Sequence, residues 1–142
     1  MIQISNSIEI ACPQIQVFEF VADVHNNPKW MPVQGVQKIS EGAVGVGTNF
    51  KQEFFLMGAR YELLGVLTEF EPHQKIAFSY DSPVFVWKGG YSFEPTANGT
   101  RMSAIGNVTL TGPMKMMETM FAPKIRKLIN DTAPNLKKIL ES

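Results

Sequence analysis

Residues 84–110, VFVWKGGYSFEPTANGTRMSAIGNVTL, hold two alternating runs separated by Ala97-Asn98-Gly99. Alternation puts successive side chains on opposite faces of a strand, and Asn-Gly supplies the backbone that a tight hairpin needs. In the first run Phe85, Trp87, Tyr91 and Phe93 share one face, and Lys88, Ser92 and Glu94 the other. In the second, Met102, Ala104, Val108 and Leu110 oppose Arg101, Ser103 and Asn107. Two long strands, each apolar on one side, pair as an antiparallel hairpin with its aromatic face turned inward.

Upstream the same period returns in VQKIS (36–40), TNFKQEFFLM (48–57), ARYELLGVLTEFE (59–71) and KIAFSYD (75–81). The glycine-rich EGAVGVG and the turn Glu71-Pro72-His73-Gln74 separate them, so the strands form a meander. Ile76, Phe78 and Tyr80 share an inward face, as do Phe50, Gln52, Phe54 and Leu56, which makes Gln52 an inward polar group. The run 59–71 is apolar in both parities, Tyr61, Leu63 and Leu67 against Leu64, Val66 and Phe70, and its facing stays open. A first strand spans Ile2 to Cys12, alternating at Ile2, Ile4, Ile8 and Ile10 and broken at Asn6.

Pro13 then opens a short amphipathic helix through Ile15, Val17, Phe18, Val21 and Ala22 that ends near Asp23. HNNPKWMP, punctuated by Pro28 and Pro32, reads as a bend or a one-turn helix. From Pro113 a long final helix shows Met114, Met117, Phe121, Ile125, Leu128 and Ile129 on one face. Pro123 and Pro134 each remove a backbone donor, so kinks are expected near both.

The chain has 142 residues, 44% hydrophobic and 18% charged, enough for one self-standing domain over 1–142 and too few for two. Thirteen basic residues balance thirteen acidic ones without a like-charge run, which argues against a nucleic-acid partner. Cys12, alone, excludes an internal disulfide and fits a reducing compartment. The alternating N-terminus is not a secretory signal, and no apolar run reaches the roughly 18 residues that span a bilayer. A soluble, cytoplasmic protein is expected. His25 and His73 lack metal-ligand partners at helical or Cys/His spacing, so neither a metal nor a cofactor is expected.

PQIQVFEFVADVHNNPKW, with Pro13, Val17, Phe18, Asp23, Pro28 and Trp30, resembles the opening signature of the polyketide cyclase/dehydrase and lipid transport family of the START-like, SRPBCC superfamily. EGAVGVGTNF (41–50), FEPTANGTR (93–101) and NLKKILE (135–141) resemble its glycine-rich hairpin, its last hairpin and its terminal helix. The resemblance covers the whole chain. It implies an α+β helix-grip fold: a seven-stranded curved antiparallel sheet around a long C-terminal helix, with two short helices between the first two strands. It implies a container and carries no particular reaction.

In such a fold the inward residues line a core or a cavity. Trp30, Phe54, Phe78 and Tyr80 are candidate walls from one part of the chain, and Trp87, Tyr91, Met117 and Phe121 from another, with Gln52 among them. Small Ala104 and Gly106 are expected to leave space. Aromatic stripes ordinarily fill a core, but Tyr80, Trp87 and Tyr91 each carry a polar atom that needs a partner once buried, which a ligand or water supplies. The expected function is binding of a small apolar or aromatic, lipid- or polyketide-like molecule.

By resemblance alone, the alternative is a cyclase or dehydratase in which His25, placed beside Trp30 near a pocket entrance, or Tyr80 or Tyr91 moves a proton. Asp23 is read as anchoring the loop after its helix, His73 as solvated, Arg101 as outward, Arg60 as pairing a ligand carboxylate or a surface charge, and Cys12 as a buried small hydrophobe. Met114, Met116, Met117 and Met120 exceed what one helical face buries. They suit an adaptable lid, or a contact surface for a homodimer or another partner.

Overall fold

A computed structural model describes residues 1–56 and 58–142. Its strands are β1 (Ile2–Ile10), β2 (Val33–Lys38), β3 (Asn49–Leu56), β4 (Ala59–Glu71), β5 (Lys75–Asp81), β6 (Phe85–Thr96) and β7 (Gly99–Leu110). They form one antiparallel sheet in the order β1-β7-β6-β5-β4-β3-β2, so each strand from β2 onward pairs with its sequence neighbour and β1 closes on β7. Met57, at the end of the third expected run, lies outside the described residues.

Between β1 and β2 come α1 (Gln14–Ala22), a 3-10 turn (Val24–Asn26) and the one-turn α2 (Asn27–Trp30). Asp23 begins the 3-10 turn, its side chain accepting the backbone N–H of His25. After β7 come a 3-10 segment (Gly112–Met117), α3 (Glu118–Asn130) and α4 (Thr132–Glu141). This is the expected helix-grip arrangement, with its C-terminal helix in two pieces.

The break has a local cause. At Pro134 a continuous helix would lose the hydrogen bond to the Asn130 carbonyl and drive the proline ring into it, so the chain restarts at Thr132. Pro134 then falls in the first turn of α4, where its missing donor costs nothing. Pro123, by contrast, is accommodated inside α3.

Alternation persists through β1, where Asn6 keeps the inward parity and donates through Nδ2 to Asn130 Oδ1 at 2.7 Å. On β4 both parities are used. Leu63 and Leu67 are buried, but a register shift between Leu67 and Glu69 swings Phe70 inward, while Leu64 and Val66 stay on the outer face.

Beside α1 the inner face is closed by Val17, Phe18, Val21 and Ala22, which the helix buries. Phe18 meets Phe93, Phe70 and His73 at ring distances of 5.4, 5.6 and 5.6 Å. His73, expected in solvent, is therefore half-buried in its turn, at a φ of 68°.

Candidate ligand-binding cavity

A cavity of about 140 Å³ lies between the inner face of the sheet and α3. Phe54, Leu63, Trp87 and Val108 from four different strands make its apolar floor. Ile125, Leu128 and Ile129 of α3 form the roof, and Met31, Pro32 and Val33 the rim beyond α2. Among the described residues no Asp, Glu, His, Lys or Arg lines it.

The floor owes its shape to glycine. A Cβ added at Gly106 would stand 2.5 Å from Trp87 Cη2, and one at Gly89 would stand 2.8 Å from Trp87 Cζ2, so the indole lies on backbone that only glycine leaves bare. The space expected at Gly106 exists, but Trp87 fills it. The cavity is the room above that ring.

Polar groups gather at one side, where Gln52, Tyr80 and Tyr91 reach the cavity. Gln52 Oε1 accepts from Asn27 Nδ2 at 3.1 Å, both residues being buried, which fixes the Gln52 amide against α2. The Tyr80 hydroxyl is buried and makes no hydrogen bond to any described residue. Burial pushes its pKa well above the ordinary phenol range, Tyr91 adds to the rise, and the Asn27 side chain opposes it. Burial likewise pushes Tyr91 far up. Both are therefore neutral in the ordinary pH range, with a hydroxyl proton to donate.

Of the expected wall residues, Gln52, Phe54, Tyr80, Trp87 and Tyr91 meet around this space, and four do not. Trp30 lies behind Tyr91, ring centroids 5.7 Å apart, buried with its Nε1 unpartnered. Phe78 stacks on Tyr80 at 5.5 Å and meets Phe50 edge-on at 6.1 Å, a core residue behind the floor. Met117 is 39% exposed in the 3-10 segment, and Phe121 faces an outer groove beside the cavity. Met116 and Met120 stand in solvent, while Met114 lines that groove.

His25 is not at the cavity. Its side chain is 59% exposed, with Nδ1 3.1 Å from Asp23 Oδ1, because Asp23 turns the chain outward there. Arg60 pairs with Glu53 at 2.9 Å and Arg101 with Glu9 at 3.0 Å, both exposed. Cys12 is buried with Sγ 3.3 Å from Gln16 Oε1, and burial pushes its thiol pKa up, against a nucleophilic role.

Sequence reasoning left out of the site the α3 roof and Asn27. Ile125, Leu128 and Ile129 carried a signal, since they share the apolar helical face. Asn27 carried none, because a polar residue before a proline reads as a turn. Among the described residues no helix is long and apolar enough to cross a membrane, and no three His, Cys, Asp or Glu residues converge as metal ligands.

The family model described as polyketide cyclase / dehydrase and lipid transport matches residues 1–141. No curated protein matches the chain. Among solved structures, protein TTHA0849 of Thermus thermophilus superposes with a TM-score of 0.77 at 20% identity, covering 98% of this chain and 94% of that one. Protein CV1439 of Chromobacterium violaceum gives 0.76 at 18% identity, covering 100% and 99%. A START superfamily protein of Mycobacterium smegmatis gives 0.75 at 17% identity, covering 99% and 95%. At these identities the likeness is one of fold.

Proposed function

The chain belongs to the polyketide cyclase/dehydrase and lipid transport family, and from that premise we propose that its cavity takes an uncharged part of a small molecule, one apolar ring with one hydrogen-bonding oxygen. The observation that carries this reading is the Tyr80 hydroxyl, buried near the Asn27 side chain but without a hydrogen-bond partner among the described residues, on the polar side of a mostly apolar cavity. A buried polar group left unpaired costs about 1–3 kcal/mol, and a ligand oxygen accepting its proton recovers that cost.

Size sets the ligand class. A cavity of about 140 Å³ matches the engineered apolar cavity of about 150 Å³ that takes one benzene. Burying roughly 150 Å² of ring surface at about 25 cal/mol/Å² yields ~4 kcal/mol, which by itself is millimolar affinity.

Lacking a charged side chain, the cavity disfavours an ionised group inside it, since an unpaired ion is costly to desolvate. The cyclase or dehydratase reading is weaker on the same ground. His25 lies in solvent, and Tyr80 and Tyr91 are held protonated, so a proton acceptor would have to come from the substrate.

The test compares acetophenone with ethylbenzene by ligand-observed NMR. Acetophenone should bind about ten-fold tighter, and Tyr80→Phe should erase the difference. Uptake of neither compound at millimolar concentration would end the proposal.

A further inference from the structure

A second depression, on the outside of the molecule, adjoins the cavity. This groove, about 300 Å³, shares Leu56, Ile125 and Leu128 with the inner cavity as common walls. Beyond them it is lined by Phe55, Met114 and Phe121 and by three charged residues, Lys124, Lys127 and Asp131. Lys127 and Asp131 neutralise one another at 2.8 Å. Lys124 has no ion-pair or hydrogen-bond partner among the described residues, so the groove holds one unpaired positive charge beside its apolar walls.

Resting on the one-ring reading of the inner cavity, we propose that the ligand is an amphiphilic carboxylate: its ring sits inside, an aliphatic stem passes Leu56 and Leu128, and its anionic end meets Lys124. Three observations converge on this shape. The inner space is apolar, lacks charge and takes one ring, so an ionised group has to lie outside it. Apart from Lys124 and the Lys127–Asp131 pair the outer walls are apolar, with Phe55 48% and Leu128 38% exposed, which suits a stem. The one unpaired charge in the groove is cationic, and an exposed lysine attracts a carboxylate modestly, by an amount salt screens.

The experiment uses 5-phenylpentanoate and its neutral twin 5-phenylpentanamide, titrated calorimetrically into the whole protein at low salt and at about 0.5 M salt. The acid should bind about five-fold tighter than the amide at low salt, and the advantage should fall toward unity at high salt. Lys124→Glu, an exposed change, should remove the advantage or reverse it. Lys88→Glu, on the outer face of the sheet, makes the same change in net charge and should leave the ratio as it was.

Equal binding of acid and amide to the unaltered protein would overturn the inference, as would an equal effect of the two lysine variants. If acetophenone binds but neither phenylpentanoyl compound does, the extended site is wrong and the inner one stands. If none of the three binds, both readings fall.

Discussion

Strand β6 serves two helices in opposite ways. At one end Phe93 is locked against Phe18 of α1, and a helix of nine residues buries four side chains. At the other, Phe85 and Trp87 face α3, and a helix of thirteen residues buries only Ile125. One sheet face is thus a closed core beside α1 and a container beneath α3. The difference lies in the helices, not the strands: α1 presents adjacent apolar residues at helical spacing, whereas α3 carries Pro123 and the cations Lys124, Arg126 and Lys127 among its apolar residues.

Large truncations should expose that contrast most strongly. Phe18→Ala is expected to cost about 3–5 kcal/mol by urea unfolding, and Ile125→Ala about 2, because open space already borders the isoleucine. Equal costs would mean that the roof is packed as tightly as the α1 end. Enlargement tests the converse. Val17→Phe, at a position with no exposed surface, should cost about 1–3 kcal/mol, while Leu63→Phe should be close to neutral and block acetophenone uptake in the NMR assay.

Tyr80→Phe sharpens the comparison chemically. Removing an unpartnered buried hydroxyl should stabilise the empty protein by about 1 kcal/mol at neutral pH even as it weakens ligand binding. A loss of stability instead would show that the hydroxyl is already satisfied. Because the folded-state pKa values of Tyr80 and Tyr91 are raised, their contribution is fully present below the unfolded phenol value of about 10. It is lost as pH rises through the higher folded values. Melting temperatures above about pH 10 should therefore fall less steeply in Tyr80→Phe.

The smallest effect is expected where α4 is tied to the end of β1. Hydrogen bonds from the Ala11 amide and from Lys137 hold the Glu141 pKa below its ordinary range. A depressed carboxylate contributes stability above its unfolded pKa and loses it as pH falls through the folded one. Glu141→Gln should flatten the acid limb of thermal stability slightly and leave the neutral plateau alone. An unchanged acid limb would show the tie to be idle.

The strands were legible because alternation is written residue by residue, and the one undecided strand shows where that ends. On β4 the register shift after Leu67 moves the apolar set from odd to even positions, and a bulge is a property of two paired strands. The cavity was legible only in part. Phe54, Tyr80, Trp87 and Tyr91 follow from strand parity, but whether a ring borders space or another ring depends on its neighbours, as Phe78 shows by stacking on Tyr80.

Met117 was misplaced through phase, whereas Phe121, one turn before Ile125 in α3, lines the outer groove that Ile125 also walls. A helix counted from Pro113 at about 3.6 residues per turn aligns Met117 with Ile125. Yet residues 112–117 form a 3-10 segment, which turns at about three residues per turn, before the α-helix begins at Glu118. That change rotates Met117 away from the roof.

The bare backbone beneath Trp87 has one more outcome. Since two missing methyl groups seat the indole, the ring works as a removable spacer whose thickness sets how large a guest the sheet accommodates. A smaller residue at position 87 would deepen the chamber without moving a strand, whereas an alanine at Gly106 would push the spacer toward α3 and shrink it. Guest size in this molecule is thus tuned from the floor, by a single side chain and the gap it rests in.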